Sequence, residues 1–103
     1  GTQSPSEMIK CIDMGLDHVK FFPAEPSGGL KMIKSITAAL TTLKVMPTGG
    51  INADNVREYL QDEKIFCAGG SWMVKADLIK AGKFDVIEQK CREAAEIVKS
   101  VRK

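Results

Sequence analysis

The 103-residue sequence is poor in the features that mark disulfide-rich, metal-binding or membrane proteins. Its 3 cysteines, Cys11, Cys67 and Cys91, are an odd number and their spacing matches no metal motif. We therefore expect reduced thiols, mostly in the core, and no metal site. No run of about 18 apolar residues is present, so no transmembrane helix is predicted. The first residues lack a basic stretch followed by an apolar one, so we expect no signal peptide and a cytoplasmic protein.

Charge of one sign is also scarce. The formal net charge of +2 is too small to indicate binding to nucleic acid or to an anionic membrane. Hydrophobic residues make up 44% of the chain and charged residues 27%, which is typical of globular proteins that form an apolar core. The length predicts one domain, residues 1–103.

Helix and strand patterns alternate along the chain. Strands are predicted over residues 17–23, 43–47 and 64–68. Strands that alternate with helices run parallel with right-handed crossovers, so the predicted fold class is α/β with three parallel strands. The predicted helices are one started by Ser4 and ended by Gly15, one over 30–40, one over 56–60 started by Asn52 or Asp54, one over 76–80, and one over 84–101. The last helix is expected to bury Val86, Ile87, Cys91, Ala94, Ala95, Val98 and Val101.

Lys20 is unusual because it interrupts an apolar strand. Alternation along the strand places Lys20 on the same face as His18 and Phe22. Pro23 ends the strand, so Lys20 lies near its carboxyl end, where parallel α/β folds place their chemistry. Burial there favours the neutral amine, which is a nucleophile toward carbonyl groups. The alternative is a structural lysine whose stem lies on apolar surface and whose head stays in water.

Each predicted strand is followed by a loop with a pair of glycines, at residues 28–29, 49–50 and 69–70. Thr48 precedes the second pair and Ser71 follows the third, so a hydroxyl accompanies each of these two loops. Paired glycines let backbone amides approach a ligand, and the N-terminus of a following helix adds positive potential, so a phosphate is the predicted ligand. The alternative is that the glycines only permit sharp turns.

Three ordered motifs together resemble the class I aldolases that cleave 2-keto-3-deoxy-6-phosphogluconate, and their 4-hydroxy-2-oxoglutarate aldolase relatives. Residues 20–25, Lys-Phe-Phe-Pro-Ala-Glu, resemble the Schiff-base motif of the family. Residues 47–51, Pro-Thr-Gly-Gly-Ile, resemble its phosphate loop, and residues 67–72, Cys-Ala-Gly-Gly-Ser-Trp, resemble the loop after its last strand. The resemblance extends from Gly1 to the C-terminus.

This resemblance implies a carbon–carbon lyase in which Lys20 is the imine-forming nucleophile and Phe22 lines the pyruvyl pocket. The implied substrate is a phosphorylated keto acid and the implied product is pyruvate, with no cofactor. Gly49, Gly50, Gly70 and Ser71 would hold the substrate phosphate, with Thr48 shaping the loop.

The family fold is a (β/α)8 barrel, of which the sequence resembles about strands six to eight with their flanking helices. Such a barrel needs about 200 residues or more. The family's general-base glutamate and carboxylate-binding residues belong to the first half, for which this sequence has no match, and Glu25 belongs to the lysine motif. We therefore expect a partial barrel that forms a homo-oligomer, a trimer in the family, or that combines with a complementing N-terminal half. The open alternatives are a non-catalytic phosphate-binding or structural α/β module, and another phosphate-binding barrel enzyme in which Lys20 is no nucleophile.

Overall fold

The computed structural model describes residues 1–102 as alternating helices and strands. This order confirms the α/β class, and the predicted helices are all present. The elements are α1 (Pro5–Asp13), β1 (His18–Phe21), α2 (Gly29–Ala39), β2 (Lys44–Pro47), α3 (Val56–Leu60), α4 (Ala76–Lys80) and α5 (Phe84–Val101). No helix within residues 1–102 is long and apolar enough to cross a membrane.

Helix α1 begins where the sequence predicts. The N–H of Glu7 donates to the hydroxyl of Ser4 at 3.3 Å, and Pro5 occupies the first helical position. The Glu7 carboxylate in turn accepts the N–H of Gln3 at 2.8 Å. This N–H, followed by the Ser4 hydroxyl, lowers the pKa of Glu7. The start of α1 is thus fixed by a reciprocal set of local hydrogen bonds.

Strands β1 and β2 pair in parallel, from His18 opposite Lys44 to Phe21 opposite Pro47. The segment before α1 lies along the other edge of β1. There Thr2 donates its N–H to the carbonyl of Lys20 at 2.8 Å, and its own carbonyl accepts the N–H of Phe22 at 2.9 Å. The end of β1 is therefore held by neighbours on both edges.

The predicted third strand is wrong as a regular strand. Residues 64–68 and their surroundings contribute only isolated bridges, between Val45 and Ile65 and between Thr48 and Gly69. From the first bridge to the second, β2 advances 48 − 45 = 3 residues while the partner segment advances 69 − 65 = 4. One extra residue interrupts the ladder in the manner of a β-bulge. Within residues 1–102 the sheet is therefore two strands plus a bulged neighbour, not three strands.

The hydrophobic core lies on one side of this sheet. Val19 and Phe21 are buried, whereas His18 and Lys20 of the same strand are exposed, which confirms the predicted alternation. The buried face packs against α1 and α2. The largest apolar side chains of this cluster are Met8, Phe21, Ile33, Ile36, Leu43, Ile51, Tyr59, Leu60 and Ile65.

The predicted burial along α5 is wrong. None of its 18 residues is buried, and Phe84 and Val98 are 62% and 43% exposed. Its main contacts are with α3 and α4, which have only 5 residues each and cannot cover an apolar face of that length. The thiols are likewise not mostly in the core, because Cys91 is exposed and Cys11 and Cys67 are half-buried. Burial raises the pKa of the Cys67 thiol, which the charge of Arg102 partly offsets.

Candidate active site

Lys20 stands on the open face of the sheet, next to the carboxyl end of β1. Its carbonyl accepts both the N–H and the hydroxyl of Thr2, at 2.8 and 2.6 Å, so its backbone is fixed from the side. Its Nζ lies 5.1 Å from the centre of the Phe22 ring, a cation–π distance. The expected burial of Lys20 is absent, because no layer of residues 1–102 covers this face of the sheet. Phe22, on the same face, is 51% exposed.

The loop after β1 is tied directly to the loop after β2. The N–H of Thr48 donates to the carbonyl of Phe21 at 3.0 Å. In return, Ala24 donates to the carbonyl of Thr48 at 2.8 Å, and Glu25 donates to the carbonyl of Gly49 at 3.0 Å. The lysine motif and the second glycine loop are therefore one hydrogen-bonded unit.

Gly49 and Gly50 are required by this close approach. Their φ angles are +105° and +78°, a region that other residues rarely adopt. A Cβ atom at Gly49 would lie 2.9 Å from Cα of Pro23, and one at Gly50 would lie 2.6 Å from Cβ of Glu25. The two glycines thus serve the turn and the contact between loops, independently of any ligand.

A cavity of about 260 Å³ opens beside these loops. It brings together the predicted substrate-binding residues, and Lys20 is not part of its lining. Within residues 1–102, the N–H groups of Gly50, Ile51, Gly70 and Ser71 donate to no protein acceptor. Unpaired backbone N–H groups in such a loop can donate hydrogen bonds to an oxyanion. The cavity is lined by Phe22, Thr48, Gly49, Gly50, Ile51, Gly70 and Ser71.

Trp72 packs against Gly70, which lines the cavity. A side chain at Gly70 would collide with the Trp72 ring, and its Cβ would lie 3.3 Å from the carbonyl of Ile51. No role was predicted for Ile51 or Trp72, although both fall within the motifs that carry the resemblance. Their positions immediately beside the glycine pairs were the available signal.

Asn55 is a further residue that the sequence analysis missed. Its Nδ2 donates to Oε1 of Glu25 at 2.8 Å and to the carbonyl of Gly50 at 2.9 Å. Its Oδ1 accepts the N–H of Asn52 at 2.9 Å. Asn52 was predicted as a possible helix start, and its own Oδ1 does accept the N–H of Asn55 at 3.1 Å. Asn55 therefore contacts both loops of the site from the turn that precedes α3.

Tyr59 of α3 lies beneath the loops, next to Glu25. The side chain is 2% exposed, and among residues 1–102 no group forms a hydrogen bond of good geometry with its hydroxyl. Burial raises the pKa of Tyr59 to about 12, and the charge of Glu25 adds to the rise. A buried hydroxyl without a partner lowers stability.

Tyr59→Phe is expected to leave the free energy of unfolding unchanged or higher at pH 8, and to flatten its fall above pH 10. The pKa of Tyr59 in the folded protein, about 12, exceeds the reference value of 10.0, so the unfolded chain loses this proton at lower pH than the folded one. The contribution of Tyr59 to the free energy of unfolding is therefore complete below pH 10 and is lost as pH rises toward 12. Between pH 8 and pH 11.5 the free energy of unfolding is expected to lose about 2 kcal/mol through Tyr59, a loss that the Tyr59→Phe protein lacks. Urea unfolding of both proteins at pH 8 and near pH 11.5 measures it, with the lysines titrating equally in each. Parallel pH profiles would contradict the assignment.

Comparison with known proteins shows which family this chain resembles. The family model for KDPG and KHG aldolases matches residues 1–90. The 2-dehydro-3-deoxy-phosphogluconate aldolase of Haemophilus influenzae is 43% identical over 99 residues, which cover 96% of this chain and 47% of that protein. The chain thus spans about half the length of the curated relatives it matches.

Two solved structures agree with the fold. KDPG aldolase from Legionella pneumophila, with pyruvate captured at low pH as a covalent carbinolamine intermediate, has a TM-score of 0.84 and 42% identity over 88% of this chain and 44% of that one. The 2-keto-3-deoxy-6-phosphogluconate aldolase of Zymomonas mobilis with 3-phosphoglycerate has a TM-score of 0.72 and 36% identity over 94% and 42% of the two chains. The resemblance read from the three motifs is therefore confirmed, and the chain belongs to the KDPG and KHG aldolase family.

Proposed function

We propose that this chain carries the imine-forming lysine and the phosphate site of a class I aldolase that cleaves 2-keto-3-deoxy-6-phosphogluconate to pyruvate and glyceraldehyde 3-phosphate. One observation carries the proposal. The predicted substrate-binding residues Phe22, Thr48, Gly49, Gly50, Gly70 and Ser71 line one cavity at the carboxyl ends of the parallel strands. The Phe22 ring of that lining is the group that Lys20 Nζ faces at 5.1 Å.

The proposed reaction begins when the Lys20 amine attacks C2 of the keto acid. The carbinolamine loses water to give a protonated imine, which withdraws electrons from the adjacent carbons. A general base removes the proton of the C4 hydroxyl, the C3–C4 bond breaks, and its electron pair moves into the imine. The phosphorylated aldehyde leaves, C3 is protonated, and water releases pyruvate and the free lysine. The carbinolamine captured in the Legionella pneumophila relative supports the first step.

The base and the cover over Lys20 belong, in this proposal, to residues beyond those that the structure describes. The open face leaves the Lys20 side chain exposed to solvent, whereas burial is what favours the neutral amine that attacks a carbonyl group. The matches cover 47% of the Haemophilus influenzae relative and 45% of the Escherichia coli relative, so about half of each lies outside the match. We place the second layer of the pocket in that unmatched part, supplied by a complementing half or by a partner subunit in a homo-oligomer. A cytoplasmic location stays a prediction.

Ser71→Asp is expected to weaken the binding of a phosphorylated ligand by about tenfold, because its carboxylate would face the phosphate across the cavity. Ser71 is exposed and its hydroxyl makes no hydrogen bond within residues 1–102, so the change leaves the loops intact. Gly49→Val is a poor test, since a Cβ there already meets Pro23. Titration with 3-phosphoglycerate, followed through the amide resonances of the glycine loops, gives the affinity.

Thr42→Asp is the matched control for the added charge. Thr42 is exposed and lies before β2, at the opposite end of the strand from the cavity. Its affinity for 3-phosphoglycerate is expected to stay within about twofold of the parent, because the charge is then separated from the ligand by more than a screening length. Equal weakening by both changes would show a general charge effect and would remove the support for a phosphate site at Ser71.

A further inference from the structure

We infer that Asn55 is a positioning residue of the phosphate site, which holds the loop after β2 against the loop after β1 and fixes the direction of the Ile51 N–H. The inference rests on the proposed function and deepens it. Asn55 lies on neither glycine loop, yet it is bonded to both the lysine motif and the phosphate loop.

The role is not that of an ordinary helix cap. Asn55 occupies the N-cap position of α3, where an asparagine side chain usually accepts an N–H of the first helical turn. Its side chain makes no such bond. Both hydrogens of its amide group are directed instead at Glu25 and Gly50. Asn52 caps this turn instead, because its Oδ1 accepts the N–H groups of Asp54 and Asn55, and the Asn55 side chain is committed to the two loops.

The bonding pattern fixes the orientation of the amide group. Nδ2 faces two acceptors, the carboxylate of Glu25 and the carbonyl of Gly50, while Oδ1 faces the N–H donor of Asn52. Exchanging the oxygen and nitrogen of the amide would place a donor against the N–H of Asn52 and an acceptor against the oxygens of Glu25 and Gly50. The side chain is thus held in a single arrangement that only an amide of this length supplies.

The contact with Gly50 reaches the cavity through one peptide plane. In a trans peptide the carbonyl of one residue and the N–H of the next point in opposite directions. Holding the carbonyl of Gly50 therefore turns the N–H of Ile51 away from Asn55. Ile51 lines the cavity, and its N–H donates to no acceptor within residues 1–102. Without Asn55, Gly50 at φ +78° would regain the wide range of angles open to glycine.

The contact with Glu25 has a second consequence. Glu25 also donates its backbone N–H to the carbonyl of Gly49, so this residue is bonded to the phosphate loop through its backbone and to Asn55 through its carboxylate. Asn55 donates to that carboxylate at 2.8 Å and to Gly50 at 2.9 Å, and so stands between the two. A neutral amide there satisfies the carboxylate without adding charge to the site.

The test compares inorganic phosphate binding by the 103-residue chain and four variants, Asn55→Ala, Asn55→Asp, Glu25→Gln and Asn52→Ala. Chemical shifts of the Gly50, Ile51 and Ser71 amides report the affinity and the loop geometry, and thermal unfolding reports folding. Asn55→Asp is close to isosteric but adds a carboxylate beside Glu25, so if the alanine variant folds poorly its decisive readout is the Ile51 amide shift of the phosphate-free protein. Both Asn55 variants are expected to weaken binding by about tenfold or more and to shift the free-state Ile51 amide, because each loses the two hydrogen bonds to the loops and alanine also loses the bond from Asn52.

Glu25→Gln keeps the acceptor oxygen and removes the charge, so its affinity is expected to equal or exceed that of the parent. Asn52→Ala removes two side-chain bonds of the same turn, those accepted from the N–H groups of Asp54 and Asn55, and none to either loop, so its affinity is expected to stay within about twofold. Asn55 variants that bind phosphate as the parent does would overturn the inference, as would equal weakening by Asn52→Ala. A parent chain that binds no phosphate would instead refute the phosphate site of the proposed function.

Discussion

Lys20→Arg is expected to abolish the trapping of pyruvate by borohydride. A guanidinium stays protonated at any practical pH and cannot attack a carbonyl carbon, while it keeps the charge and length of the exposed side chain. The fold is expected to persist, because within residues 1–102 the Lys20 side chain makes no hydrogen bond. The backbone carbonyl of Lys20, which accepts from Thr2, is unchanged by the substitution. Intact mass after incubation with pyruvate and reduction measures the adduct, and peptide mapping locates it.

Lys44→Arg is the matched control for this substitution. Lys44 lies on the neighbouring strand in register with His18, and its Nζ donates to the carbonyl of Glu63 at 3.0 Å. It belongs to no glycine loop and its change is expected to leave trapping intact. The trapping runs on the chain with its complementing half, so that the pocket is covered. A label on any other lysine, with Lys20 unmodified, would refute the assignment of the nucleophile.

Local pattern predicted the elements well. The Ser4 hydroxyl, Pro5 and Glu7 mark a helix start through contacts spanning three residues, and all are visible in the sequence. The faces of β1 follow from a period of two, so Lys20 and Phe22 were correctly placed together opposite Val19. The glycine pairs at residues 49–50 and 69–70 were correctly placed at one end of the sheet, since parallel strands end on the same side.

Features that depend on contacts between distant residues were not predicted. The bulge between Ile65 and Gly69 is a mismatch in count between two segments, which neither segment shows alone. The contact of Asn55 with Glu25 spans 30 residues, so no role was predicted for Asn55 and only Asn52 or Asp54 was interpreted as the helix start. The required glycines at 49 and 50 were interpreted as ligand contacts, whereas the structure shows that they also admit the lysine motif.

The expected burial failed in two places for one physical reason. Periodicity identifies an apolar face but cannot say whether a second layer covers it. Helix α5 has such a face and contacts mainly the two short helices α3 and α4. Lys20 lies beside Phe22, and no layer of residues 1–102 covers it. Exposed apolar side chains on both features, including Phe22 and Phe84, are the surfaces that further layers would cover.

The 103-residue chain alone is expected to release pyruvate from 2-keto-3-deoxy-6-phosphogluconate about 10²–10⁴-fold more slowly than the same chain combined with a complementing half, because the reaction needs a positioned base that we place outside it. The part of the Haemophilus influenzae relative that this chain does not match serves as that half. Pyruvate release is followed with a coupled assay for each component and for the mixture. The mixture made with the Lys20→Arg chain measures any turnover that the added half supplies. Turnover by the chain alone near that of the mixture would show that the base lies within these residues. Glu25, whose carboxylate accepts a hydrogen bond from Asn55, would then be the first carboxylate to replace.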